Sequence, residues 1–188
     1  MKPVEKVVVL GGSWGGIQAS ITILQSLTAS FPYPIILVLH RLRNTESGLQ
    51  QLFEKKLHLE VREVEEKEPL APGVVYLAPA NYHVLIEKDR TFSLDVSDLE
   101  NYSRPSIDVT FASAADVFKE QAIGILLSGA SKDGSAGLAH LHQKGGVAIV
   151  QDPAEAEVST MPESAIKLIP GCRVMNLESI KKHLLSVT

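Results

Sequence analysis

Short runs of almost wholly apolar residues recur along this 188-residue sequence, separated by amphipathic stretches of helical length. A strand that is apolar on both faces must be covered on both, which parallel strands joined by crossover helices achieve. VVVL (Val7 to Leu10) reads as a first buried strand ending at Gly11, and IILVLH (Ile35 to His40) as a second. Between them, residues from about Gly16 to Ala29 carry Ile17, Ile21, Leu24 and Leu27 at helical spacing, stopped before Pro32. The pattern then predicts a helix from about Glu46 to Leu57, a strand near Leu59 to Val64 and another at VVYLAP (Val74 to Pro79). VLIEKDRTFSLDV alternates on both sides of a polar turn at Asp89 and Arg90, as a hairpin does.

RPSID opens a long helix to about Lys119, with Pro105 near its first turn and Asp108 favourable against the positive helix end. The last third repeats the unit: strand IGILLS, a helix from about Ser135, strand VAIV, a short helix after Pro162, a strand near Val174 and a terminal helix. The expected fold is α/β: a three-layer, doubly wound, mostly parallel sheet with a small antiparallel hairpin. No Gly/Ser/Pro linker interrupts the pattern, so residues 1–188 are expected to form a single domain around one core.

Composition removes several function classes. A net charge of −4 supplies no basic field for nucleic acid or anionic lipid. No apolar run approaches the ~20 residues that cross a bilayer, and the N-terminus turns polar too early for a signal peptide. The lone Cys172 leaves no internal disulfide and fits a reducing, cytoplasmic setting. His140 and His142, two apart on an expected helix, face different sides and cannot share a metal. No metal and no organic cofactor are expected. His83 reads as at most a rim residue, Arg62 to Glu68 as a solvated segment, and Cys172 as packing.

In open α/β sheets, function gathers outside the carboxyl ends of the strands, near a switch in strand order. The first strand delivers Gly11-Gly12-Ser13-Trp14-Gly15-Gly16 there, the second His40, and IGILLS the segment Gly129-Ala130-Ser131-Lys132-Asp133-Gly134. A hydroxyl, an imidazole and a carboxylate thus reach one rim. The first motif satisfies the G-x-S-x-G elbow in its context of strand, turn and helix, and Ser13 would stand near a helix N-terminus that stabilises an oxyanion. A glycine-rich phosphate loop fits less well: the G-x-G-x-x-G spacing is not met, and the next strand ends in His40 rather than an acid that would hold a ribose. His40 alone could be an ordinary rim histidine, and Asp133 could cap the helix after it. Trp14 either lines a substrate pocket or packs in the core.

In order and spacing, GGSWGG, VLH, GVVYLAPANYHVL, RPSIDVTF, LLSGASKDGSAGL, GGVAIVQDP and MPESAI resemble the catalytic domain of the chemotaxis receptor methylesterase, a protein-glutamate methylesterase and glutamine deamidase. The resemblance runs from Val7 to about Ile169. It implies a Ser-His-Asp triad that falls on Ser13, His40 and Asp133, and a protein substrate, the cytoplasmic helical bundle of chemoreceptors. The family usually carries a receiver domain ahead of this one; here the first strand begins within ten residues of Met1, so no receiver domain is expected and a separate receiver protein is an open partner. Trp14 and Ala130 stand where the family usually has threonine and methionine, so both, with Gly129, are expected to shape the oxyanion hole and pocket wall. A silent binding module, a serine esterase for another substrate and, more remotely, a nucleotide binder stay open as alternatives.

Overall fold

The computed structural model describes residues 4–40 and 48–187. Seven parallel strands form one sheet: β1 (Val7–Gly12), β2 (Ile35–Leu39), β3 (Glu60–Glu63), β4 (Val74–Leu77), β7 (Ala122–Leu126), β8 (Val147–Gln151) and β9 (Arg173–Met175). Their order is β3-β4-β2-β1-β7-β8-β9. A separate antiparallel pair, β5 (His83–Ile86) and β6 (Phe92–Asp95), forms the expected hairpin. The chain runs outward from β1 on one side and then restarts at β7 on the other. The crevice between the ends of β1 and β7 is therefore the topological switch point, where crossovers leave in opposite directions.

Period-two alternation divides the sheet's apolar residues between two faces. Val8, Leu10, Ile35, Leu37, Ile123 and Ile125 belong to one cluster, covered by α1 (Gly16–Leu24), α2 (Leu49–Lys56) and α6 (Leu177–Ser186). Val7, Val9, Ile36, Val38, Ala122 and Leu126 belong to the other, covered by α3 (Ile107–Phe118), α4 (Ser135–Gln143), α5 (Thr160–Leu168) and the hairpin. The three layers expected from the pattern are present.

The differences from expectation lie at element ends. α1 stops at Leu24, not near Ala29, although Leu27 is still buried. Hydroxyl-rich Ser26, Thr28 and Ser30 follow, and the Ser26 hydroxyl bonds the Ile23 carbonyl, so short turns carry Leu27 inward instead of helix. The expected start of α2 at Glu46 lies outside the described residues; the helix is described from Leu49. Pro105 precedes α3, whose N-cap is Ser106. α5 begins at Thr160, ahead of Pro162, which sits in the first turn where a missing N–H costs nothing. The segment Arg62 to Glu68 is not simply solvated: it holds the end of edge strand β3 and the buried Val64, and Arg62 pairs with Glu68 at 3.1 Å.

α3 and α4 approach closely enough that Gly137 has no room for a side chain. A Cβ there would lie 2.4 Å from the Asp108 carbonyl oxygen and 2.7 Å from its Cα. Alanine gains up to about 1 kcal/mol of helix propensity over glycine, but the obstructing atoms are backbone and cannot turn aside. Gly137→Ala is expected to destabilise by about 1–3 kcal/mol net, read as a lower urea midpoint; an unchanged or raised midpoint would contradict this contact.

Candidate active site

Register sets the first two site residues side by side. Gly12 of β1 pairs with Leu39 of β2, and the His40 N–H donates to the Gly12 carbonyl at 3.2 Å. Ser13 and His40 are the next residues on these adjoining strands. The Ser13 N–H donates to the Ser128 carbonyl at 2.9 Å, which ties the turn to the end of β7 on its other side. Gly15 then adopts φ 78°, a left-handed conformation that favours glycine. A Cβ on it would also strike the Ser128 hydroxyl and Glu157 Cβ, each at 2.7 Å. Ser13, Trp14, His40 and Glu157 share a cleft of about 690 Å³ with Ile17, Gln18 and Ile21 of α1 and Leu52 and Lys56 of α2.

Asp133 is fully buried and lies 2.7 Å from His40, Oδ2 to Nε2. Other donors saturate it: Ile107 N–H on Oδ2 at 2.7 Å, and the Ser106 hydroxyl at 2.8 Å, Asp108 N–H at 3.2 Å and Asn101 Nδ2 at 3.4 Å on Oδ1. Burial by itself pushes the Asp133 carboxyl up. The hydrogen bonds from His40, Ile107 and Ser106 outweigh it and hold the group below the usual carboxylate range.

The helix that Asp133 caps is not the one that follows it. Its carboxylate receives the first N–H groups of α3, while Asp108 in the first turn of α3 accepts the Gly137 N–H of α4 at 2.6 Å. The two carboxylates thus serve each other's helices, and Asn101 Nδ2 links them, reaching Asp108 Oδ2 at 2.9 Å. Burial pushes Asp108 up to about 6; the Gly137 N–H pulls against this, and the neighbouring Asp133 charge adds to the rise.

Of the residues expected at the rim, the fold brings Ser13, His40 and Trp14 into one cleft and Asp133 behind His40. Trp14 is 68% exposed, so it lines the cleft and does not pack in the core. Among the described residues, the amides of Trp14 and Ala130 donate to no protein acceptor, as oxyanion donors must not. Gly129 differs: its N–H is already given to the Val158 carbonyl at 3.1 Å, so this amide is not available to an oxyanion. His83 is no rim residue. It is fully buried, with Nδ1 accepting the Ser106 N–H at 3.1 Å and Nε2 donating to the Asp98 carbonyl at 2.9 Å. It therefore braces the residue that holds Asp133.

Sequence reasoning missed Asn101, Ser106, Ser128, His83 and Glu157. Ser106 stands in RPSID, the segment expected to open a helix; the others carry no local signal. Of the other histidines, His140 pairs with Asp116 at 2.8 Å, and among the described residues there is no group of three or more His, Cys, Asp or Glu side chains that could hold an ion.

Residues 8–184 match the CheB methylesterase family. The chain belongs to that family. The crystal structure of the Thermotoga maritima CheB methylesterase catalytic domain superposes with a TM-score of 0.91 at 32% identity, covering 97% of this chain and 98% of that one. A Leptospira interrogans protein is 44% identical over 175 residues, 93% of this chain and 91% of its own length. A Pseudomonas syringae protein named protein-glutamate methylesterase/protein-glutamine glutaminase 2 is 34% identical over 183 residues, 97% of this chain but 54% of the relative. The chain thus spans about half the length of such relatives. Within the CheB methylesterase fold, the cleft of Ser13 and His40 lies at the sheet's switch point. No described helix is long and apolar enough to cross a membrane.

Asp108 carries a consequence for pH. Its folded value is raised, so its stabilising contribution is full below the unfolded value of 3.8 and is lost as pH rises through about 6. Asp133, held low, contributes above its unfolded value and adds no slope in this window. The urea midpoint is expected to fall less between pH 5 and 7.5 in Asp108→Asn than in the wild type. Parallel curves would show that Asp108 does not titrate there.

Proposed function

We propose that this chain hydrolyses glutamyl methyl esters, and deamidates certain glutamines, on the cytoplasmic helical bundle of chemoreceptors, with Ser13 as nucleophile, His40 as base and Asp133 as the acid that orients it. The reading rests on one observation above the others: the 2.7 Å contact between His40 Nε2 and a buried, donor-saturated Asp133, in the cleft that also holds Ser13. The relatives' names supply the substrate class, protein glutamate and glutamine side chains; the chemoreceptor bundle is what the family resemblance implies. No cofactor enters the scheme, and a separate receiver protein is compatible with this reading as a partner.

The contact assigns the ring nitrogens. A carboxylate held below its usual range is acceptor-only, so His40 Nε2 carries the proton and donates it. Nδ1 is then the free acceptor and takes the Ser13 proton as Oγ attacks the ester carbonyl. Among the described residues Ser13 Oγ makes no hydrogen bond, so no protein acceptor competes with Nδ1 for its proton.

The tetrahedral oxyanion forms beside the start of α1. The unengaged amides of Trp14 and Ala130 are its donors, each worth about 3 kcal/mol of transition-state stabilisation. His40 returns the proton from Nδ1 to the departing methoxide, and methanol leaves. Water, deprotonated by the same nitrogen, attacks the acyl-enzyme and frees the glutamate and Ser13. Deamidation follows the same course with ammonia leaving, and leans harder on protonation because an amide nitrogen is the poorer leaving group. Throughout, Asp133 stays ionised and steadies the imidazolium.

Methanol release from a methylated receptor fragment tests the assignment. Ser13→Ala and His40→Ala are each expected to lower kcat roughly 10³-fold or more, since such residues act as a unit. A Ser13→Ala protein that releases methanol at the wild-type rate would end it. A fluorophosphonate probe is expected to label Ser13 and no other serine.

A further inference from the structure

Two side chains beside the nucleophile have no part in the hydrolytic scheme. Trp14, 68% exposed, donates its indole Nε1–H to Glu157 Oε1 at 2.7 Å. Glu157 sits on the connection from β8 to α5, and that connection is fastened to the serine turn. The Ser128 hydroxyl accepts the Val158 N–H at 2.9 Å and lies 2.8 Å from the Trp14 carbonyl. Gly129 N–H reaches the Val158 carbonyl at 3.1 Å, and Met161 N–H reaches the Gly129 carbonyl at 2.9 Å. Ring and carboxylate are therefore held in place together, unlike two free surface side chains.

The chemistry of the pair is that of a cation receptor. An indole face is negative and attracts an ammonium or guanidinium placed over it. The Trp14 N–H hydrogen-bonds Glu157 without neutralising it, since indole is a donor that keeps its proton. Among the described residues no Lys or Arg lies within ion-pair distance of Glu157, and Lys56, which lines the same cleft, is not paired with it. An apolar or acidic group settling here would desolvate or repel a charge that no described cation answers. A protonated side chain would satisfy it, and the chain's net charge of −4 favours the approach of a cation.

We infer that Trp14 and Glu157 form a cation subsite that receives a lysine or arginine side chain of the protein substrate, next to the residue being hydrolysed. The subsite rests on the reading of this cleft as one that acts on a protein, and it sets which sites on that protein are chosen. Substrate segments with a basic residue beside the ester are preferred over segments with an acidic one.

Trp14 is the chain's only tryptophan, so its emission reports on the subsite directly. N-acetyl-lysine amide, N-acetyl-norleucine amide and N-acetyl-glutamate amide are titrated at constant ionic strength. The lysine compound is expected to change the emission saturably, with norleucine roughly threefold to tenfold weaker and glutamate without effect. Glu157→Gln, and separately 0.5 M salt added to the wild type, are expected to bring lysine down to the norleucine level. Equal responses to the three compounds, or a lysine response unchanged in Glu157→Gln, would overturn the subsite. Methanol release is measured on the same preparation: release without any cation preference sinks the subsite alone, whereas a cation response without release keeps the subsite and sinks the esterase.

Discussion

A single buried charge organises this molecule. Asp133 has no solvent around it, so its ionised form survives only because donors surround both oxygens. Those donors come from far along the chain: an imidazole after β2, a loop amide at Asn101, and the opening of α3. Each position is therefore constrained by the charge it serves. The return contact, Asp108 onto the Gly137 N–H, binds α3 to α4 at the level where the two backbones nearly touch. Helix packing and the orientation of His40 are consequently one problem with one solution.

The sheet contributes the other half of the arrangement. Parallel register aligns the ends of β1 and β2 rung by rung, so the residue after Gly12 and the residue after Leu39 emerge together. β7 is fastened on the far side through the Ser128 carbonyl. The resulting cleft has a buried negative group behind it and an exposed one, Glu157, at its wall. These two carboxylates differ in what answers them. Asp133 is met by fixed protein donors, which suits a group that steadies an imidazolium. Glu157 is met, among the described residues, by the indole N–H of Trp14 and by no cation.

His40 presents Nε2 to Asp133, which leaves Nδ1, the nitrogen nearer the backbone, as its second ring nitrogen. Among the described residues the amides of Trp14, after β1, and Ala130, after β7, donate to no protein acceptor, whereas that of Gly129 is spent on Val158. That distinction depends on which carbonyl happens to cross each amide. Residue type says nothing about it.

By itself, the sequence determined the layered α/β class and the strand residues, and it singled out Ser13, His40 and Asp133. Each of these is carried by local pattern: fully apolar runs, helical spacing, and polar residues at or soon after the ends of those runs. The G-x-S-x-G elbow and RPSID were legible for the same reason. Tertiary structure alone decided that Asp133 caps α3 and not the helix it precedes, that His83 is a buried brace, and that Glu157 meets Trp14 from 143 residues away. Hydrogen bonds of this kind join groups whose separation along the chain follows no period. Only the folded sheet brings them within reach, and no local pattern encodes which donor meets which acceptor.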